Sequence, residues 1–591
     1  MKQFFKFMFA SMAGFVLAGI VLMIIMFTVI SGALMTFSPE KKTAVENNSI
    51  LEINLNYAIT ENTSDNPFEN FSFSSFSTEK YLGLNDIIKN IEKAERDENI
   101  KGIFLNLSGT EAGLATLAEI RDALKEFKKS GKFIYAYGEY MGQGAYYLAS
   151  VADKVIIHPE GLLEFRGLHA TLTFFKGTLE KLEIEPQVIR HGKFKSAVEP
   201  FVNEKMSNEN REQISTFVNS VWNKMVEDIA EGRKLSTTEL QASADQFLSR
   251  NPKAAVESKL IDEVAFYDEV IAQMQKLSGE EENSKPKLIS LNKYDNASVK
   301  SDKAFSNRKI AVIYAVGEIV SGKGESDQIG SDKIAGEIRK ARRDTSIRAI
   351  VLRVNSPGGS AIASDVILRE MALAKKEKPV VVSMGDLAAS GGYYIACNAD
   401  TIVAQANTLT GSIAVFGILF NTEKMFKNKL GITFDDVKTN KFADLGTITR
   451  KLSSEEKEMI QQEVERIYET FITHVSDGRG ISKEMVDSIG QGRIWSGTDA
   501  KRRGLVDVLG NLESAVEIAA GMAKLDAYRV ISMPEQKEFF EKLMEDMKAD
   551  AGTYFAKKEL GEDYRYYKSI RTMLDNSGIQ ARIPFDVSFS R

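Results

Sequence analysis

The sequence repeats itself at a spacing of about 247 residues, and this duplication restricts the fold more than any other feature. Residues 100–105 match residues 347–352, and the spacing is 347 − 100 = 247. The same spacing aligns Gly138 with Gly385. A polar residue that only one copy contains is not required by the shared scaffold, so such residues are candidates for a function.

Two polar residues break the repeat in a complementary way. Ser390 lies in a turn of small residues, where the first copy has Gln143, 390 − 143 = 247 residues earlier. Lys195 matches Ala443 at a slightly longer spacing, 443 − 195 = 248. Each half therefore holds a reactive residue that the other lacks. This pattern predicts one catalytic site that is assembled from both halves.

Both halves alternate apolar strands with amphipathic helices, a pattern that predicts parallel β-α-β units and an α/β fold. In the first half we expect strands at residues 49–55, 102–107 and 132–137, and helices at 84–96, 114–128 and 208–233. In the second half we expect strands at residues 309–316, 349–354 and 380–383, and helices at 334–343, 361–375 and 454–474.

The N-terminal segment has the length of a membrane anchor. Between Lys6 and Glu40 lie 40 − 6 − 1 = 33 residues without a charge. A membrane-spanning helix needs about 20 apolar residues, whereas the apolar core of a cleavable signal has about 7–15. We therefore predict an uncleaved anchor, with cleavage at residues 31–33 as the alternative. Lys2 and Lys6 favour an N-terminus on the inside, which leaves the remaining chain on the extracytoplasmic side.

Composition shifts divide the chain into five parts. We predict an anchor (1–45), a first repeat (46–280), a charged linker (281–305), a second repeat (306–535) and a tail without a counterpart (536–591). The net charge of −6 argues against a nucleic-acid partner, because such a partner needs a basic face. Cys397 is the only cysteine, so no disulfide can form within the chain, and its apolar neighbours predict a buried thiol.

Ser390 is a candidate nucleophile. Two alanines precede it and two glycines follow it, so the backbone can bend sharply there and present an N–H group beside the hydroxyl. The alternative is that this serine only caps the helix that begins nearby, as serine often does.

Lys195 is a candidate general base. A free lysine has a pKa of about 10.4 and is protonated at neutral pH, but burial can lower this pKa by several units. The apolar neighbours Phe194, Val198 and Phe201 favour burial. The alternative is a lysine on the surface, the usual location. Lys193 serves as a comparison, because the second copy has a lysine in the matching position.

Other chemistry is less well supported by the sequence. The loop at residues 355–359 contains two adjacent glycines after a strand, and these could direct N–H groups at a substrate carbonyl; an ordinary Pro-Gly turn is the alternative. None of the four histidines, His158, His169, His191 and His474, lies in a motif typical of a catalytic triad. The sequence also lacks the spacings typical of zinc ligands.

Taken together, three motifs resemble those of the long bacterial signal peptide peptidases, also called protease IV, of peptidase family S49. The motifs are residues 195–201, 355–359 and 389–393. The resemblance implies two tandem repeats of the Clp protease/crotonase-like fold, built from ββα-type superhelical units after an N-terminal transmembrane helix.

The resemblance also implies a site and its surroundings. Ser390 is expected to be the nucleophile, Lys195 the general base and Ser412 the residue that orients the lysine, with the backbone amides of Gly359 and Gly391 as the oxyanion hole. No cofactor or metal is implied. The expected substrates are remnant signal peptides and other apolar peptides, the expected assembly is a homotetramer, and the expected location is the bacterial inner membrane with the catalytic part on the periplasmic side.

Two further functions remain as alternatives. One is an inactive membrane-anchored scaffold or peptide-binding protein with a protease-like fold. The other is an acyl-CoA enzyme of the crotonase type, which requires an acidic catalytic residue and an adenine pocket that the sequence does not indicate. The complementary serine and lysine argue against the inactive scaffold.

Overall fold

The computed structural model describes residues 2–36, 43–63, 71–72, 77–78, 81–281, 285–299, 306–325, 327–534 and 578–582. The helices up to residue 299 are α1 (Lys2–Thr36), α2 (Leu84–Arg96), α3 (Leu114–Lys129), α4 (Gln143–Ala149), α5 (Lys176–Leu182), α6 (Glu199–Val202), α7 (Asn208–Arg233), α8 (Thr237–Asp245), α9 (Pro252–Glu257), α10 (Tyr267–Ser278) and α11 (Leu291–Asp295). The later helices are α12 (Ser331–Arg343), α13 (Ala361–Lys375), α14 (Gly391–Ala396), α15 (Glu423–Met425), α16 (Ser454–Arg479), α17 (Lys483–Ile489), α18 (Gly497–Arg502) and α19 (Leu512–Met522).

The strands follow the same division. Those up to residue 299 are β1 (Ser49–Ile53), β2 (Phe71–Ser72), β3 (Ser77–Thr78), β4 (Ile100–Asn106), β5 (Phe133–Met141), β6 (Lys154–Leu163), β7 (Glu185–Arg190), β8 (Glu263–Val264) and β9 (Leu288–Ser290). The later strands are β10 (Lys309–Val316), β11 (Glu318–Val320), β12 (Gln328–Gly330), β13 (Ile347–Ser356), β14 (Gly358–Ser360), β15 (Val380–Ala389), β16 (Thr401–Ala404), β17 (Leu409–Gly411), β18 (Phe416–Asn421), β19 (Ile494–Ser496), β20 (Val508–Leu509), β21 (Arg529–Met533) and β22 (Gly578–Arg582).

Each half contains a sheet whose central strands are parallel. The first sheet has the order β8-β6-β5-β4-β1-β9, and the second has the order β19-β17-β15-β13-β10-β21, with β16 beside β15 and β20 beside β16. Central strands such as β10 are apolar along nearly their whole length and almost entirely buried, as expected for a parallel sheet covered on both faces. The predicted α/β class is therefore confirmed.

The duplication is visible in the elements themselves. Helices α2 and α12 begin 331 − 84 = 247 residues apart, and strands β5 and β15 begin 380 − 133 = 247 residues apart. Strand β15 continues to Ala389, well beyond the predicted end at residue 383, because its apolar run is followed by small residues that still pair with β17. Part of the predicted linker, residues 288–295, forms β9 and α11 beside β1.

A third sheet joins the two halves. Its order is β12-β11-β14-β22-β18-β7, so strand β7 of the first half pairs with β18 of the second. The pairing of β7 with β18 is antiparallel and runs from Arg190 opposite Phe416 to Glu185 opposite Asn421. This sheet brings the residues that follow β7 close to the ends of the central strands of the second half.

A buried ion cluster also joins the halves. Arg353, on β13 of the second half, is fully buried, and its guanidinium contacts Glu61 at 2.9 Å and Glu119 at 2.7 Å. Both glutamates belong to the first half. Burial raises the pKa of Glu119 to about 7, although the neighbouring Arg353 opposes this shift. The matching residue in the first copy is Asn106, so this arginine is specific to the second copy.

The N-terminal helix α1 is separate from this core. Within it, Lys6–Ile24 has a mean hydropathy of 2.4 and is long and apolar enough to cross a membrane. None of that stretch is buried inside the protein. A signal sequence at the same position would meet the same criterion.

Candidate active site

Ser390 lies at the sharp turn between the end of β15 and the start of α14. Its backbone has a φ of 56° and a ψ of −116°, a strained conformation for a residue with a side chain. Its N–H donates to the Gly411 carbonyl at 2.8 Å, which holds the turn against β17. The hydroxyl makes no capping hydrogen bond to α14, so the interpretation of Ser390 as a plain helix cap is wrong.

Lys195 approaches Ser390 from the first half. It follows β7 and precedes a short 3₁₀ turn, and only 1% of its surface is exposed. Its Nζ lies 2.8 Å from Ser390 Oγ and 3.1 Å from Ser412 Oγ. Burial without a neighbouring carboxylate lowers the pKa of Lys195 to about 7, because a charged ammonium is poorly solvated there.

The backbone around Lys195 is held by residues from both halves. Gln213, on α7, donates to the Phe194 carbonyl at 3.0 Å and to Ser196 Oγ at 2.9 Å. Gly492, in the second half, has a φ of 83°, and a Cβ on it would lie 2.6 Å from the Lys195 Cα. The lysine is therefore fixed between α7 and a loop of the second half that tolerates no side chain at this point.

Ser412 is the third polar residue of the cluster. It follows β17 directly, and its φ of 52° is again positive. Its N–H donates to the Arg493 carbonyl at 2.8 Å, so the backbone is anchored while the hydroxyl remains beside the lysine amine. The structure thus brings together Ser390, Lys195 and Ser412.

Gly359 and Gly391 lie beside this cluster. Gly391 immediately follows Ser390, and Gly359 belongs to β14, which pairs with β11. Gly359 has a φ of 153°, and a Cβ on it would lie 2.1 Å from the Ile319 carbonyl oxygen. On Gly391 a Cβ would lie 2.8 Å from Ser364 Oγ. Neither position has room for a side chain, because a Cβ there would clash with Ile319 or Ser364.

Other candidates lie elsewhere or are inert. Lys193 is exposed, with its amine over the ring of Phe194, in contrast to the buried Lys195. Cys397 is fully buried, and burial raises the pKa of its thiol to about 12, so it is protonated at neutral pH. All four histidines are among the described residues, and none of them hydrogen-bonds to Ser390.

The sequence did not reveal three features around the site. These are the ion cluster of Arg353, the contact of Asp386 with α3 of the first half, and strand β22 beside β14. The Asp386 carboxylate accepts hydrogen bonds from the Ala115 and Thr116 N–H groups at 2.8 and 3.0 Å. An arginine inside an apolar strand, such as Arg353, indicates a buried acidic partner. Its partners, Glu61 and Glu119, lie too far away in sequence to be identified from it.

Comparisons with known proteins agree with the duplication. The model of "Peptidase family S49" matches residues 126–281 and again residues 372–526. "Protease 4" of Salmonella typhi is 40% identical over 78% of this chain and 76% of its own length. "Protease 4" of Haemophilus influenzae is 35% identical over 83% of this chain and 82% of its own.

More distant proteins match as well. "Serine protease SPPA, chloroplastic" of Arabidopsis thaliana is 33% identical over 77% of this chain and 68% of its own. Among solved structures, ClpP1 from Listeria monocytogenes matches 34% of this chain and 91% of its own at 16% identity and a TM-score of 0.22.

Two copies of one α/β peptidase domain define the protein as a peptide hydrolase. The chain belongs to peptidase family S49.

Proposed function

We propose that this protein is a membrane-anchored serine endopeptidase in which Ser390 is the nucleophile and Lys195 is the general base. The observation that supports this most directly is the 2.8 Å distance between Lys195 Nζ and Ser390 Oγ. A second is the pKa of Lys195, which burial lowers to about 7, so that a neutral amine is present at physiological pH.

The reaction is an acyl transfer. Neutral Lys195 takes the proton of the Ser390 hydroxyl, and Ser390 Oγ attacks the carbonyl carbon of the peptide. The backbone amides of Gly359 and Gly391 stabilise the tetrahedral oxyanion. Lys195 then protonates the departing amine, and water releases the acyl group from Ser390. Ser412 Oγ lies 3.1 Å from the Lys195 amine and accepts a hydrogen bond from it. This contact keeps the lone pair of the amine directed at Ser390.

The proposed substrates are cleaved signal peptides and other apolar peptides at the membrane. One relative, "Putative signal peptide peptidase SppA" of Enterococcus faecium, supports this choice. The apolar helix Lys6–Ile24 supports it too, since it would hold the enzyme where such peptides are released. We further propose that the chain crosses the bacterial inner membrane once, with its N-terminus inside and its catalytic part on the periplasmic side.

A fluorophosphonate probe tests the nucleophile directly. The full chain in detergent should be labelled once, and peptide mapping should locate the label on Ser390. The Ser390→Ala variant should take up no label and should not hydrolyse a fluorogenic apolar peptide. Labelling at another serine would identify a different nucleophile, and an unlabelled, folded protein would favour the inactive scaffold.

The pH dependence of the rate should reflect the pKa of Lys195. Since the base must be neutral, kcat/KM is expected to rise about tenfold per pH unit below pH 7 and to level off above it, following the Lys195 pKa of about 7. A lysine with an ordinary pKa of about 10.4 would give a rate that still rises at pH 9. Measuring kcat/KM from about pH 5 to 10 with a peptide that does not titrate separates the two cases.

We also propose that the protein assembles with copies of itself, as the homotetramer expected from the family. Ile189, on β7, is buried against β18. The second copy has Val437 at the position that corresponds to Ile189, 437 − 189 = 248 residues later, and Val437 is fully exposed. In the first copy, residues 169–174 correspond to β18, and they do not form a strand. Pairing of residues 433–438 with 169–174 of a second copy would reproduce the internal contact between chains, head to tail.

A charge at Val437 should weaken this assembly. We expect Val437→Asp to shift the particle measured by native mass spectrometry or light scattering to a lower mass, because the carboxylate would be buried in the proposed contact. Met485→Asp, at another exposed apolar residue, is the matched control and should keep the original mass. An unchanged assembly in Val437→Asp would contradict this contact.

A further inference from the structure

The end of strand β15 that leads into Ser390 contains a bulge. In the pairing of β13 with β15, one residue of β13, Asn355, faces three residues of β15, 385–387. Regular pairing resumes only at Ala388, two residues before Ser390. A bulge next to an active site bends the strand and re-aims the side chain that the strand carries. The shape of this bulge therefore affects where Ser390 Oγ lies.

Asp386 lies in the middle of the bulge, and its carboxylate caps helix α3 of the first half. It accepts hydrogen bonds from the Ala115 and Thr116 N–H groups at 2.8 and 3.0 Å and from the Thr116 hydroxyl at 2.5 Å. The N-cap residue of α3 itself is Gly113, which has no side chain to offer. The first N–H groups of a helix lack partners within the helix and attract a negative charge. This contact therefore fixes the bulge to the first half.

The bulge is tied to the first half a second time, through Asn355. Its Oδ1 accepts a hydrogen bond from the Leu387 N–H at 3.2 Å, and its Nδ2 donates to Glu61 at 2.9 Å. A Cβ on Gly385 would lie 2.5 Å from Glu61 Oε1, so the carboxylate packs against the start of the bulge. Groups of the first half therefore hold the bulge at both of its ends and in its middle.

The repeat indicates that the shared scaffold does not need the contact of Asp386. The first copy has Glu139 at the matching position (386 − 139 = 247), and Glu139 is exposed. The matching residue of Asn355 is Ser108 (355 − 108 = 247). As with the serine and the lysine of the site, a polar contact that only one copy makes is a candidate for a function.

We propose that Asp386 is a positioning residue for the nucleophile: it fixes the bulge of β15 to the first half and thereby places Ser390 Oγ beside the Lys195 amine. The inference rests on the proposed function. In this arrangement the first half supplies the base and also holds the nucleophile within its reach. The turn at Ser390 is strained, with a φ of 56°, and such a conformation persists only where the surroundings determine it. The 2.8 Å contact with the lysine leaves little tolerance for a shift of β15.

The rate of labelling by a fluorophosphonate tests this role, because it depends on the placement of Ser390 and not on peptide binding. In the full chain in detergent, Asp386→Ala is expected to be labelled completely but about 10-fold to 100-fold more slowly than wild type, the effect of a misplacement of up to about 1 Å. The amount labelled counts folded sites, so a purely structural loss lowers the amount and leaves the rate constant unchanged. For the fluorogenic peptide, kcat should fall in parallel at an unchanged KM.

Two further carboxylate variants make the test specific. Asp386→Asn keeps an oxygen that can accept the N–H groups of α3, and it should be labelled at nearly the wild-type rate. Asp400→Ala is the matched control, since the Asp400 carboxylate accepts a hydrogen bond from the Val380 N–H at 2.9 Å, at the other end of β15. This variant loses the same kind of bond and should keep the wild-type rate. A wild-type rate in Asp386→Ala would overturn the inference.

A change in the first half tests the same anchor without altering β15. A Cβ on Gly113 would lie 2.1 Å from Asp386 Cγ, whereas a Cβ on Gly109 would meet no atom within 4 Å. Gly113→Ala should therefore slow the labelling, and Gly109→Ala should not. If Asp386→Ala lowers the amount labelled, Gly113→Ala decides: slower labelling supports the inference and a wild-type rate overturns it. Labelling of the wild type at a serine other than Ser390 would instead remove the proposed function.

Discussion

Replacing Lys195 by alanine should lower kcat/KM for an apolar peptide by at least about 100-fold and by up to about 10⁴-fold, the range that a general base contributes. The described residues around Ser390 offer no second base, since the Ser390 hydroxyl contacts the Lys195 amine and no histidine. A neutral amine at 2.8 Å is required to remove the hydroxyl proton as the nucleophile attacks.

The control for this experiment is two residues away. Lys193→Ala removes an exposed lysine of the same chemistry and should retain most of the activity. Both variants should keep the wild-type assembly and thermal midpoint, so that a loss of rate is not a loss of fold. Near-normal activity in Lys195→Ala would place the base elsewhere, and the proposal of a site shared by the two halves would fail with it.

Replacing Arg353 by methionine should destabilise the protein by about 3–5 kcal/mol, the usual effect of removing one partner of a buried ion pair. The side chains of Glu61 and Glu119 are 5% and 0% exposed, so the substitution leaves two carboxylates without their counter-charge. Denaturant unfolding of the full chain, followed by circular dichroism, measures the loss. Arg466→Met serves as the control, because its ion pair with Glu463 is exposed to solvent and contributes little to stability.

A variant that also removes the two glutamate charges tests why Arg353→Met loses stability. If uncompensated charge is responsible, Arg353→Met combined with Glu61→Gln and Glu119→Gln should recover most of the stability. A triple variant as unstable as Arg353→Met would show that packing of the guanidinium matters more than its charge.

The sequence predicted the parts of the structure that depend on periodicity or on the repeat. Central strands are apolar runs and helices such as α2 are amphipathic, so their positions follow from local pattern. Comparing the two copies singled out Ser390 and Lys195, although they are 195 residues apart in sequence. The comparison worked because the scaffold needs the same residues in both copies, while the site needs each reactive residue once.

The features that the sequence could not predict depend on contacts between distant segments. Arg353 is an isolated charge in a strand, and nothing near it in sequence identifies Glu61 and Glu119 as its partners. Strand β22 has five residues and follows a long stretch without a counterpart in the first half. Its position is determined by the free edges of β14 and β18, which exist only in the folded protein.

The third sheet, built from strands of both halves, also has a consequence for synthesis of the chain. Lys195 leaves the ribosome first, and Ser390 follows 195 residues later. Strand β18, against which β7 packs, comes later still, so the lysine cannot reach its place until about half of the second repeat has been made. Such distant contacts form late in folding. A nascent or truncated chain that ends before residue 416 should therefore be harmless to its neighbours, and the enzyme becomes a protease only after β18 has joined the third sheet.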